Sequence, residues 1–217
     1  MTYLGPNGDL DNGPYLAVNL DEGVLSIALN RPEQANAINV ATNLAIERLL
    51  KAVSGDEMVR VVVVRDHCAA FPVQGLRLLA QPIIAMVQGP CPADAIAVIE
   101  ACDIVIAADD ADFNSTGQSF DGKEAQRQGL VTFSVPVSEL QVQTDTLARE
   151  LATKDALALR FTKQTLQRVP NLPWTEVLAF TSAKQAELKA LQAGRPSARA
   201  SAIESFLAGK SKPGAGA

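Results

Sequence analysis

Four apolar runs constrain this chain more than any other feature: VRVVVVRD from Val59, PIIAMVQG from Pro82, CDIVIAAD from Cys102 and LVTFSVP from Leu130. Each is of strand length and largely free of polar alternation, as a strand covered on both faces requires. Between them lie short stretches with helical spacing: Leu76 to Ala80, Ala93 to Ala101, and Asp121 to Gln128, the last closed by Gly129. Strand, helix, strand, helix in that order predicts a parallel sheet covered by helices. Upstream, YLAVNLDEGVLSIALNRP reads as two strands joined at Asp21-Glu22-Gly23, and Asn39 to Val53 as an amphipathic helix stopped at Ser54-Gly55. From Val137 on the pattern is helical only, over Ser138 to Thr153, Asp155 to Arg168, Pro173 to Ala193 and Pro196 to Ala208. The expected organisation is an α/β core over residues 1–136 and a helical C-terminal region over 137–217.

Composition narrows the function classes. With 47% hydrophobic residues in 217, the chain can bury a real core. A net charge of -5 and the lack of a basic stripe argue against nucleic acid as a partner. The longest apolar runs are too short to span a bilayer, and the N-terminus lacks a charged-then-apolar signal pattern. Cys68, Cys91 and Cys102 have no metal spacing, so reduced, buried thiols in a cytoplasmic protein are expected. The single histidine, His67, removes any multi-histidine metal site and weakens a Ser-His-Asp arrangement. It reads as a surface-loop residue, with a base of near-neutral pKa as the alternative. Neither GxGxxG nor the GxxxxGK[ST] phosphate loop occurs. No metal and no tightly bound cofactor is expected.

Five ordered segments resemble one family. GVLSIALNRPEQANAIN resembles the opening signature of the crotonase superfamily, the enoyl-CoA hydratases and isomerases. VRVVVVRDHCAAF resembles the strand leading to that family's first oxyanion loop, and QPIIAMVQGPCPADAIAVIEACDIVIAADDADF its second oxyanion turn, helix and following strand. TGQSFDGKEAQRQGLVTFSVP and AIESFLAGKSKPG resemble its later core segment and its C-terminal helix and tail. Within the family, IAMV, ACD and the FL..KS.KPG pattern are nearest in wording to the hydroxycinnamoyl-CoA hydratase-lyase subgroup. The resemblance implies a ClpP/crotonase-like spiral of β-β-α turns with a helical C-terminal trimerisation region. It also implies two backbone amides that hold a thioester carbonyl and stabilise an enolate-like oxygen, CoA entering as part of the substrate.

Residue by residue, that resemblance places one donor amide at Asp94, where the family usually has the middle glycine of three and this chain has Ala93-Asp94-Ala95. Gly75 is the candidate for the other donor. The hydratases' first catalytic glutamate falls on Ala97, which cannot move a proton. Glu100, three residues on along the same helix face and at a position normally apolar in the family, is the candidate acid or base, with burial expected to raise its pKa. An ion pair or an interface position is its structural alternative, as a first-turn cap is for Asp94. Backbone at Ala35 and Ala37 is expected to lie along the CoA nucleotide, and Arg31 to pair with a phosphate or stand as a solvated strand-end cation. Phe206 and Lys210 fall where the family contacts the nucleotide end from its C-terminal helix. Trp174 reads as a core or trimer contact.

Two family stretches, each of roughly two to three dozen residues, are missing near 72–77 and 114–115. Either the chain has lost these active-site segments, or mobile lids are left out of it. The first alternative favours a non-catalytic crotonase-fold subunit. The second favours an enzyme of hydration, isomerisation or C–C cleavage, and a single-acid decarboxylase or hydrolase is the third reading. The expected assembly is a homotrimer or a dimer of trimers, with neither membrane nor nucleic acid involved.

Overall fold

Chain direction and hydrogen-bond register set the architecture. The computed structural model describes residues 1–8, 10, 13–34, 36, 39–65, 71–115 and 117–193. Strands β1 (Leu16–Asp21) and β2 (Val24–Leu29) form the expected hairpin, with Glu22 and Gly23 at φ 47° and 83° in its two-residue turn. Strands β3 (Val61–Arg65) and β4 (Ile83–Val87) follow in parallel. Next come β5 (Pro90–Cys91), β6 (Ile104–Ala108), β7 (Asp112–Ser115), β8 (Gln118–Phe120) and β9 (Phe133–Val135). The main sheet runs β1-β2-β3-β4-β6-β9, parallel from β2 onward. Val61 to Val64 and all of β4 are buried, which is what their unbroken apolar composition required.

Helix α1 (Val40–Gly55) buries Thr42, Ala45, Ile46, Leu49, Leu50 and Val53, an apolar stripe at helical spacing. Its cap is Asn39, whose Oδ1 accepts the Thr42 amide at 2.8 Å. Helices α2 (Val73–Leu78), α3 (Ala93–Ile99) and α4 (Gly122–Arg127) connect successive strands, α2 starting three residues earlier than its spacing predicts. Helix α5 (Val137–Thr153) buries Leu140, Thr144, Ala148 and Ala152 and packs on β2, β3, β4 and β6. An ion pair and hydrogen bond between Arg65 and Asp145 clamps it to the sheet. The first compact unit is Met1–Thr153, so α5 lies with the core.

Short elements stand at the two places where the family has longer stretches. Residues 72–79 form α2 and its caps, with the Leu76 amide on the Pro72 carbonyl at 3.1 Å. Strands β7 and β8 pair antiparallel as a hairpin, with Gly117 at φ 84° between them. The sequence pattern did not predict that hairpin. With β5 it makes a second, three-stranded sheet, in which Phe113 and Phe120 stack at 5.8 Å. Gly122 opens α4 against β6. An added Cβ there would sit 2.1 Å from the Ala108 carbonyl oxygen. On the same edge, Ser134 Oγ donates to Asp109 Oδ1 at 2.7 Å, and Lys123 pairs with Asp109 at 3.3 Å. The Ser134 bond first, then Lys123, holds the Asp109 carboxyl below its usual range.

The second unit begins at Lys154 and includes α6 (Ala156–Arg168), capped by Asp155, and α7 (Trp174–Gln192). The two helices pack on each other, yet α7 has no buried residue. Trp174 is 87% exposed and Leu178 75%, so Trp174 is not a core residue of this unit. The helix expected over Pro196 to Ala208, with Phe206 and Lys210, lies outside the described residues, as do Ala35, Ala37, His67 and Cys68. Among the described residues no helix is long and apolar enough to cross a membrane.

Candidate active site

The segment leading into α3 is built to present backbone donors. Gly89 at φ 71° turns the chain out of β4, β5 then pairs with β7, and Pro92 caps the helix without a side-chain acceptor. A helix leaves its first amides without internal partners, and here one carbonyl serves two of them. Pro92 O accepts from Ala95 at 2.9 Å and from Ile96 at 3.2 Å. The amides of Ala93 and Asp94 donate to nothing among the described residues, and both residues are exposed. The Asp94 carboxylate turns back along the helix, its Oδ1 accepting the Ala95 amide at 3.0 Å. That orientation serves as a first-turn acid and directs one carboxylate oxygen away from the Asp94 N–H.

Below this turn Cys91 is buried in the core. Its thiol is pushed up to about 12, by burial first and by the neighbouring Asp94 charge second. At pH 8 such a thiol holds about a thousandfold less thiolate than an ordinary cysteine. Iodoacetamide at that pH is therefore expected to leave Cys91 unmodified in the folded protein and to label it after denaturation, read by peptide mass mapping. Cys102 is only half-buried, which departs from the expectation of fully buried thiols, and its Sγ donates to the Val98 carbonyl at 3.4 Å.

Glu100 overturns the expectation of a buried glutamate. It is exposed, and it forms the C-cap of α3. Six residues of helical rise put its backbone about 9 Å from that of Asp94. It borders a cleft of about 680 Å³ with Ile96, Asp103, Phe120 and Leu130, at the opposite end of the helix from the donor amides. Ala97 shares that outward face and is exposed too.

Gly75 sits within α2, where the fold gives it a packing reason. An added Cβ would lie 2.8 Å from Leu50 Cδ1, so glycine allows α2 to rest on α1. Its amide is a first-turn donor of α2 with no partner among the described residues. The two helices that carry Gly75 and Asp94 are in contact.

Arg31 is not a solvated cation: the residue is only 7% exposed. Its guanidinium lies 5.8 Å from the centre of the Tyr15 ring and donates to Thr42 Oγ1 at 3.5 Å and to Gln34 Oε1. Nothing in the sequence signalled this, because the partners sit in separate segments brought together only by folding. Among the described residues no cluster of three metal-ligating side chains occurs.

Comparison with solved structures places the fold. The chain is similar to a putative enoyl-CoA hydratase/isomerase from Mycobacterium abscessus, with a TM-score of 0.77 at 21% identity over 90% of this chain and 97% of that one. An enoyl-CoA hydratase from Mycobacterium smegmatis gives a TM-score of 0.76 at 21% identity, over 91% and 98%. The chain has the crotonase fold. Among relatives of this crotonase-fold chain by sequence is a hydroxycinnamoyl-CoA hydratase-lyase from Pseudomonas fluorescens, 27% identical over 91% of this chain and 94% of the relative. Another is the mouse mitochondrial enoyl-CoA hydratase domain-containing protein 3, at 22% over 96% and 87%. The alignment with the hydratase-lyase extends over 262 positions, more than the 217 residues of the chain, so the relative carries residues that have no counterpart here. No family model matches the chain.

Proposed function

We propose that this crotonase-fold chain binds an acyl-CoA thioester with its carbonyl oxygen on the Asp94 amide, and that it acts as an enzyme of the enoyl-CoA hydratase/isomerase type by stabilising an enolate-like oxygen there. The observation that carries this reading is the exposed, uncapped head of α3, with the Asp94 N–H unpaired, at the place where the resemblance puts an oxyanion donor. A backbone donor fixed by the fold does not reorganise as charge develops on the substrate. Gly75 is the second donor in this reading. Ala97 removes the two-carboxylate hydration route. Of the two carboxylates on α3, Asp94 stands beside the donor amide, whereas Glu100 stands at the far end. Asp94 is therefore the nearer candidate for the acid in a single-carboxylate mechanism, of the kind a decarboxylase, hydrolase or C–C lyase needs, once its carboxylate leaves the Ala95 amide.

A second reading is a non-catalytic crotonase-fold subunit. It is favoured by Ala97, which cannot move a proton where the hydratases have a glutamate. One experiment separates the two. The protein is incubated with enoyl-, hydroxycinnamoyl- and malonyl-type CoA thioesters, product masses are followed, and CoA binding is measured by calorimetry. Turnover supports the enzyme. Binding without turnover supports the subunit. Neither would leave only the fold.

The same reading includes a homotrimer or dimer of trimers built on the C-terminal helices. The exposed Trp174 and Leu178, one turn apart on α7, support it, since large exposed apolar side chains in a row mark contact surfaces. The double substitution Trp174→Glu, Leu178→Glu is expected to reduce the mass seen by light scattering to that of a single chain. An unchanged mass would place the subunit contact elsewhere.

A further inference from the structure

The cleft at the C-terminal end of α3 plays no part in the thioester reading, and its walls have a chemistry of their own. Ile96, Ile99, Phe120 and Leu130 give it apolar surface, and Phe120 is held in place by its stack on Phe113. At about 680 Å³ it has the volume of a small-molecule site. The charge along its lining is of one sign. Glu100 and Asp103 border it, and among the described residues no lysine, arginine or histidine does. Helices α3 and α4 both end on it, at Glu100 and Gln128, and a helix C-terminus adds partial negative charge.

The two carboxylates differ in what already holds them. Asp103 is committed to the fold, since its Oδ2 accepts the Ile83 amide at 2.8 Å at the start of β4. Glu100 is not committed: its carboxylate has no hydrogen-bond or ion-pair partner among the described residues. It also stands where a negative charge is least favourable for the helix, because a C-terminus is stabilised by cations and destabilised by acids. The fold therefore gains nothing from this carboxylate, and a bound cation would supply the partner it lacks.

We propose that this cleft binds a small organic ammonium compound with an aromatic or branched apolar body, its cation on Glu100 and its body against Phe120, Ile96 and Leu130. Both halves of that description are needed. A bare metal ion would leave the apolar walls unused, and an anion would meet like charge from Glu100 and Asp103. The site lies at the opposite end of α3 from the Asp94 amide, so it stands whether or not the acyl-CoA reading holds.

The test titrates three matched probes into the full chain, followed in ¹H–¹⁵N spectra: 2-phenylethylammonium, neutral 2-phenylethanol and anionic 3-phenylpropionate. The ammonium is expected to shift the amides of Cys102 and Gly129, which line the cleft, and to leave that of Asp94 in place. It should bind about tenfold more tightly than the alcohol, the usual worth of a hydrogen bond to a charged group. The propionate should shift neither cleft amide. Glu100→Gln is expected to bring the ammonium down to the affinity of the alcohol and to leave the alcohol unchanged. Glu100→Lys should abolish ammonium binding with a Tm at or above that of wild type, because a cation suits a helix C-terminus. Equal affinities for ammonium and alcohol in wild type would make the cleft a plain apolar groove, and would overturn the proposal. So would undiminished ammonium binding in Glu100→Gln, a lowered Tm in Glu100→Lys, or unmoved cleft amides at millimolar ammonium.

Discussion

Gly122→Ala is expected to destabilise the first unit by about 3 kcal/mol, the upper end of what overpacking usually costs. The atoms in the way are backbone. The new Cβ would lie 2.1 Å from the Ala108 carbonyl oxygen and 3.0 Å from its carbon, and β6 cannot yield without breaking its pairing with β4 and β9. For a chain of this size the shift in Tm would be about 6–12 °C. Gly129→Ala is the control. It sits at φ 79° with no atom within 4 Å of the added carbon, so it carries only the cost of a left-handed alanine, about 1–2 kcal/mol. Equal Tm values for the two variants would mean that α4 does not meet β6 as closely as described.

The second large effect concerns the donor amide. Asp94→Gly removes the carboxylate and keeps the N–H. Asp94→Pro removes both, at a first-turn position where proline is tolerated because the amide has no helical partner. The Gly-to-Pro ratio therefore isolates the N–H. Loss of one oxyanion donor costs about 10²–10³-fold in kcat, so Asp94→Pro should fall below Asp94→Gly by that factor, on whichever thioester of the panel is turned over. Asp94→Gly itself should fall below wild type if the carboxylate moves a proton. Circular dichroism of both variants establishes that α3 is retained. Equal rates for the glycine and proline variants would remove the amide from the mechanism.

Much of the fold was legible in sequence because the signals are local. The valine run of β3, the apolar run of β4 and the Asp121 cap of α4 each need only their own neighbours to declare themselves. The β5-β7-β8 sheet was not legible. Its strands are two to four residues long, Asp112–Ser115 and Gln118–Phe120 have no clear alternation, and the stacking of Phe113 on Phe120 exists only once the hairpin forms.

The candidate site divides in the same way. The head of α3 could be placed from proline, glycine and the apolar run that follows. The state of Glu100 could not, because spacing along a helix says which residues share a face and not what covers it. Here the face of Ala97 and Glu100 is open. Arg31 failed for the opposite reason. A charged residue at a strand end reads as solvated, yet Tyr15, Gln34 and Thr42 converge on it from three segments. A tertiary polar network of that kind leaves no periodicity to read.

The most direct test of the account is the proton of the Asp94 amide. In ¹H–¹⁵N spectra it should move strongly downfield when a slowly reacting acyl-CoA thioester is added. It should stay in place when the matching thioether, which has CoA and chain but no carbonyl oxygen, is added instead. Identical shifts with thioester and thioether, or no shift with either at saturating ligand, would contradict the claim that the head of α3 receives the thioester oxygen.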